Sequence, residues 1–126
     1  MKADKFDDVV RDATMLGVSA VRPLAAARSD VPAAALREGG RLDRWHRIAV
    51  ASVKQCGRAV VPELLPVVDL PACLAADRST ARVMLAEPAV GGTLMSLDDV
   101  RTGPAAGAAS VLLLVGPEGG WADEEV

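Results

Sequence analysis

The first periodic signal along the chain lies in residues 4–16, "DKFDDVVRDATML", where Phe6, Val9, Val10, Ala13 and Leu16 recur at three- and four-residue steps. That spacing predicts an amphipathic helix, with Asp4 placed to cap its start and Gly17 to stop it. Val18 to Leu24 reads as a short buried strand closed by Pro23, followed by an alanine-rich loop that holds Arg28 and Ser29. A second helix is predicted from about Arg41 to Gln55. At about 100° per residue, Leu42, Trp45, Ile48, Ala49, Ser52, Val53 and Cys56 share one side of it, and Arg44, Arg47, Lys54 and Arg58 the other. Beyond Arg58, Pro62, Pro66 and Pro71 allow only short extended pieces and one helical turn near Pro71 to Ala76. Arg82 to Ala86 is a further strand, leading into a loop with Glu87-Pro88 and Gly91-Gly92. A polar stretch with Gly103, Pro104 and Gly107 precedes the strongest strand, Ser110 to Val115, whose unbroken apolar run is the kind found where both faces of a sheet are covered. Helices alternating with short strands make this an α/β chain.

Composition narrows the picture. The chain has 126 residues, enough for one core, and 51% of them are hydrophobic, yet Phe6, Trp45 and Trp121 are its only aromatics. Small side chains must therefore fill most of the interior. Residues 1–58 carry 11 Lys and Arg against 7 Asp and Glu, and residues 59–126 carry 3 against 10, within a net charge of −3. A basic front half permits a polyanionic partner on one surface without a high overall pI. Cys56, Cys73 and His46 have no metal-binding spacing, and two cysteines make no disulfide framework. No run approaches the ~20 apolar residues of a membrane span. These features lead us to expect a cytoplasmic protein with no metal and no membrane.

Two stretches carry candidate chemistry. The cationic side of the second helix is either a solvated charged face or a track for phosphates, which arginine suits because its planar fork grips an anion in two places. The run "LLLVGPEGGW" stops an apolar strand in a glycine-rich turn. If the strands before Glu87 and before Gly116 lie parallel in one sheet, both turns stand at its carboxyl edge, where α/β folds bind ligands. Gly116, Gly119 and Gly120 let main-chain N–H groups approach a ligand, and Pro117 stiffens the turn. There is no GxGxxG and no Lys-Ser/Thr after the glycines, so neither a dinucleotide fingerprint nor a P-loop fits. Glu118 disfavours a bare phosphate and suits a ligand with a positive centre or with hydroxyl and amino donors. An ordinary strand-to-helix turn, with Asp123, Glu124 and Glu125 at the helix start, accounts for the same letters.

The stretch "LLLVGPEGGWADEEV" resembles the "(I/V)GPEGG(F/L)...E" motif of the ribosomal small-subunit methyltransferase E family, in the knotted SPOUT superfamily. The resemblance extends to "RWHRIAVASVKQCGRAVVPEL", similar to the family's "W..I...A..Q..R..VPEI", to "LGVSAVRPLAAARS" and to "KADKFDDVVRDA", which together cover nearly the whole chain. It implies an α/β, SPOUT-type (alpha/beta knot) Rossmann-like parallel sheet with flanking helices. It also implies methyl transfer from S-adenosylmethionine to N3 of a uridine in 16S rRNA, by a homodimer acting in ribosome biogenesis. On these positions the cofactor is expected at Glu87, Gly116, Pro117, Glu118, Gly119 and Gly120. RNA is expected at Arg28, Arg44, Arg47, Lys54, Gln55 and Arg58, with Arg58 as the candidate catalytic cation beside the uracil oxygens. His46 is expected to be a surface or packing residue.

The family also has a PUA-like barrel ahead of this region and a block "LG.RILR.ETA" after it, and neither is found in residues 1–126. The chain therefore reads as a single partial SPOUT domain, residues 1–126, with the trefoil knot unclosed, expected to bind S-adenosylmethionine poorly and to transfer no methyl group by itself. A non-catalytic RNA-binding or assembly module derived from that fold is the alternative, and an unrelated nucleotide-binding α/β domain a third.

Overall fold

A computed structural model describes residues 3–87, 94–103 and 105–126, with side chains described from Lys5 onward. Two compact units emerge from it, one of Met1–Ala25 with Asp30–Asp69 and one of Ala26–Ser29 with Leu70–Val126.

The first unit is built on helices α1 (Ala3–Leu16) and α3 (Arg41–Cys56), with a short α2 (Ala33–Arg37) between them in sequence. The apolar stripes of α1 and α3 meet, burying Val10, Trp45 and Ala49 completely or nearly so, with Phe6, Val21, Leu36, Ile48, Val61 and Leu64 packed around them. The Phe6 and Trp45 rings lie 4.5 Å apart between centroids at 53°, a tilted arrangement favoured by aromatic quadrupoles. Asp7 accepts from Trp45 Nε1 at 3.1 Å through Oδ1 and pairs with Arg44 through Oδ2. Buried Thr14 and Ser52 donate to the carbonyls one turn back, Val10 and Ile48, so neither hydroxyl is left unsatisfied. Gly17 at the end of α1 and Gly57 at the end of α3 take the left-handed conformation, with φ of 89° and 72°.

Two parallel ladders complete this unit. Strand β1 (Ala20–Val21) pairs with β3 (Glu63–Leu64), and β2 (Leu24–Ala25) with β4 (Val68–Asp69). The single strand expected over Val18 to Leu24 is thus two strands, because Pro23 falls between them and has no N–H to give a ladder; its carbonyl accepts from Val68 N at 3.4 Å. Pro66 divides β3 from β4 in the same way. The start of α1 also differs from expectation, since the helix is already under way at Ala3 and Asp4 lies inside it.

In the second unit, α4 (Leu70–Ala76) and α5 (Leu97–Thr102) accompany strands β5 (Ala81–Leu85) and β6 (Val111–Val115), which pair in parallel with Leu85 opposite Val115. The ladder opens on a double side-chain clasp, in which Thr80 N donates to Ser110 Oγ and Ser110 N to Thr80 Oγ1, each at 3.1 Å. Helix α5 begins with a capping box between Ser96 and Asp99, each accepting from the other's backbone N–H. Leu114 and Cys73 are buried, whereas Val111, Leu113 and Val115 are 48%, 56% and 61% exposed. The expectation that both faces of this strand are covered does not hold among the described residues, because alternate positions of a strand point to opposite faces and one of those faces is open.

Between α4 and β5, Asp77 accepts from Ser79 N at 3.0 Å and from Arg82 Nε at 2.7 Å, and Arg82 also donates to the Leu74 carbonyl near the end of α4. The Ser79 bonds first and Arg82 second hold the Asp77 carboxyl down to about 2. A carboxyl lowered on folding contributes its stability above the ordinary value near 4 and loses it as pH falls through about 2. Urea unfolding compared at pH 5 and pH 2.5 is therefore expected to show a larger loss of stability for the natural chain than for Asp77→Asn, and equal losses would contradict the assignment.

Candidate functional site

Because β5 and β6 are parallel neighbours in register, the chain leaves both at the same edge, and the turns that follow meet there. They form a groove of about 230 Å³. Leu85, Ala86 and Glu87 line it from the end of β5, and Val115, Gly116, Pro117, Gly120 and Trp121 from the end of β6 and its turn. Pro88 to Thr93, which hold the Gly91-Gly92 pair of the loop after β5, lie outside the described residues.

Trp121 closes the groove from below. Its ring is 1% exposed, and its Nε1 donates to the Leu85 carbonyl at 2.8 Å, joining the turn to the end of β5 across 36 residues of sequence. Gly116 is small for this reason, since a Cβ there would stand 2.9 Å from Trp121 Nε1 and 3.0 Å from Cε2. Gly116→Ala is expected to displace the indole and cost about 1–3 kcal/mol, as overpacking of a rigid ring does. Thermal unfolding would reveal it, and an unchanged midpoint would show that the ring is looser than its contacts imply.

The turn itself is tight, with Gly120 N donating to the Pro117 carbonyl at 2.9 Å and Gly120 at φ 71°, a conformation that side-chain-bearing residues rarely adopt. A Cβ on Gly120 would lie 4.0 Å from the Glu87 carboxylate, which places that carboxylate opposite the glycine main chain. A Cβ on Gly119 would come within 3.0 Å of the Arg28 carbonyl oxygen, so the loop Ala26–Ser29 lies directly against the turn. That loop is fastened by Glu125, whose Oε1 accepts from Ala27 N at 3.0 Å and Oε2 from Ala122 N at 2.9 Å. Arg28 Nη2 stands 3.9 Å from Asp123 Oδ1 with both side chains exposed, an ion pair of small energy.

Of the six positions expected to hold a cofactor, Glu87, Gly116, Pro117 and Gly120 line the groove, and Glu118 and Gly119 sit exposed at the tip of the turn. Of the positions expected to face RNA, Arg28 is beside the turn, and Arg47, Lys54 and Gln55 are exposed on α3. Arg44 is likewise exposed on α3, where its guanidinium pairs with Asp7 of α1. Arg58 Nε donates to the Met15 carbonyl at 2.9 Å, and its guanidinium covers Gly17, where a Cβ would approach within 2.3 Å. His46 is exposed in a separate open groove of about 380 Å³ with Asp43 and Glu63. The described residues contain no group of three His, Cys, Asp or Glu side chains able to hold a metal ion. The sequence reading missed Trp121 as a wall and Glu125 as a fastening. The one available signal for the first was a tryptophan directly after Gly-Gly in a chain nearly without aromatics.

A family model described as an RNA methyltransferase domain matches residues 1–126. The chain belongs to this RNA methyltransferase family. Among its relatives in the family, the ribosomal RNA small subunit methyltransferase E of Bacillus subtilis is 28% identical over 127 residues, covering 99% of this chain and 49% of that protein. The enzyme of the same name from Synechocystis is 28% identical over 134 residues, covering 99% of this chain and 39% of its own length. The chain thus spans about half the length of these family members, or less. Among solved structures, a ribosomal RNA small subunit methyltransferase E from Neisseria gonorrhoeae, bound to S-adenosyl methionine, superposes with a TM-score of 0.79 at 29% identity, covering 97% of this chain and 48% of that one. A Legionella pneumophila protein in complex with the same cofactor gives 0.77 at 28% identity, over 96% and 47%. The α/β fold with parallel strands is therefore that of the SPOUT-type family members, as the motifs implied.

Proposed function

We propose that this chain supplies part of an S-adenosylmethionine-dependent methyltransferase that acts on N3 of a uridine in 16S rRNA, as a homodimer in the cytoplasm. The observation that carries the reading is the groove at the shared carboxyl edge of β5 and β6, with glycine main chain on one side and the Glu87 carboxylate on the other. Its residues fit the cofactor: exposed Leu85 and Val115 offer apolar surface to a flat adenine ring, and Glu87 accepts hydroxyl or amino donors. Two family members solved with this cofactor support the assignment.

When bound, the cofactor supplies a methyl group on a positively charged sulfur. The chain's own contribution is to align the acceptor base and to stabilise the negative charge that uracil oxygens gain as N3 loses its proton. Arg58, held over Gly17, is the proposed cation for that charge and one of the RNA-facing residues, and Arg28, beside the glycine turn, is another of the RNA-facing residues. Arg44, Arg47, Lys54 and Gln55 on α3 are assigned to the same RNA-facing set. Glu118 and Gly119, at the turn tip, belong with the cofactor.

A groove of about 230 Å³ is smaller than the ~300–1,000 Å³ of ligand pockets, and the neighbouring sheet face is open. The 126-residue chain is therefore expected to hold the cofactor more weakly than micromolar and to transfer no methyl group by itself. Parallel titrations with S-adenosylmethionine and with a uridine-containing RNA oligonucleotide test this. Weak, saturable cofactor binding together with salt-sensitive RNA binding agrees with the proposal. RNA binding with no cofactor binding at millimolar concentration favours a non-catalytic RNA module, and equal competition by adenosine triphosphate would contradict selection of this cofactor by the groove.

A further inference from the structure

Glu125 makes a contact that neither the groove nor the motif explains. Its two carboxylate oxygens accept from two backbone N–H groups that lie far apart in sequence, those of Ala27 and Ala122. One belongs to the loop that carries Arg28, and the other directly follows Trp121, the buried wall of the groove. The carboxylate suits this task because it offers acceptors on both sides, whereas a glutamine amide has a single acceptor oxygen and would set its NH₂ against one of the two donors. Among the described residues Arg28 has no comparably firm hold of its own, since its approach to Asp123 is 3.9 Å and exposed.

We infer that Glu125 is a positioning residue, which clamps the Ala26–Ser29 loop to the glycine turn so that the Arg28 guanidinium is presented to an RNA phosphate or base beside the groove. The inference rests on the reading of Arg28 as an RNA-facing residue. Its physical content is a division of labour: Glu125 fixes the main chain, and the Arg28 side chain stays free to exchange the weak Asp123 pair for a nucleic-acid anion.

The clamp can be broken from either end. Glu125→Gln removes one acceptor. Ala27→Pro removes the donor, and it does so at the second position of a turn closed by Ser29 N donating to the Ala26 carbonyl at 3.1 Å, a place where proline fits. Binding of the full chain to a labelled uridine-containing RNA oligonucleotide would be measured over a salt series. Arg28→Ala is expected to lower the slope of log K against log salt by about one. Glu125→Gln and Ala27→Pro are expected to lower it too, and the Glu125→Gln/Arg28→Ala double variant should fall no further than Arg28→Ala alone. Partial unfolding would reduce the number of binding-competent molecules but not this slope. If Arg28→Ala lowers the slope while both clamp variants keep the natural value, Glu125 does not position Arg28. An Arg28→Ala variant with the natural slope would instead remove the RNA-facing reading of Arg28, and the inference with it.

Discussion

Trp121→Ala is expected to destabilise the chain by about 3–5 kcal/mol, the range for removing a buried large aromatic, and to abolish cofactor binding at the same time. Two losses coincide at this position. The ring is almost wholly buried beneath the turn, and its N–H is the partner of the Leu85 carbonyl at the end of β5. Removing the ring leaves a cavity under Gly116, and the groove loses the bond that keeps its two walls at a fixed separation. Trp121→Phe brings the two effects apart, since it keeps much of the apolar surface while deleting the donor, for which about 1–3 kcal/mol is expected. Urea unfolding followed by circular dichroism measures both variants. Similar small effects for the two would mean that Trp121 does not support the turn.

Trp45→Ala is expected to cost a similar 3–5 kcal/mol in the other unit. Trp45 is 2% exposed, packs its ring at a tilt against Phe6 and donates to Asp7, while Asp7 also holds Arg44. The change thus opens a cavity between α1 and α3 and takes one of the partners of the Asp7 carboxylate. Asp7→Asn, which keeps the volume and weakens the bond to Arg44, should cost well under half as much, because that pair is partly exposed to solvent. The same unfolding measurement decides, and a larger loss for Asp7→Asn than for Trp45→Ala would place the stability of this unit in its ion pair instead of its aromatic packing.

The two long helices were legible from spacing alone, since Phe6, Val10 and Ala13 on α1 and Trp45, Ala49 and Val53 on α3 recur at helical intervals, and glycines mark where each ends. Helix α5 was not, because Leu97 and Val100 are its only large apolar residues and none of its side chains is buried; its one local sign was the Ser96–Asp99 capping box. The Ala33–Arg37 helix is not legible in the alanine-rich stretch for the same reason. Pro23 was recognised as a strand terminator, but that it lies between two strands depends on their separate partners, β3 and β4, which no local pattern encodes.

The groove was legible to the extent that two strands, each ending in Glu, Pro and Gly, were placed side by side in parallel, which brings Glu87 opposite Gly120. What closes and fastens it is not local. Trp121 reaches Leu85, Glu125 reaches Ala27 and Asp7 captures Arg44 only once the chain has folded, and periodicity says nothing about such meetings.

In the proposed function the glycine turn after β6 and the end of β5 together receive S-adenosylmethionine. Two-dimensional amide NMR of the labelled chain, titrated with the cofactor into the millimolar range, tests it most directly. Saturable shifts of the Glu87, Gly116, Gly119 and Gly120 amides and of the Trp121 indole N–H are expected, with the amides of α1 and α3 unmoved. Shifts centred on α1 and α3, or a Trp121 indole resonance indifferent to saturating cofactor, would contradict it.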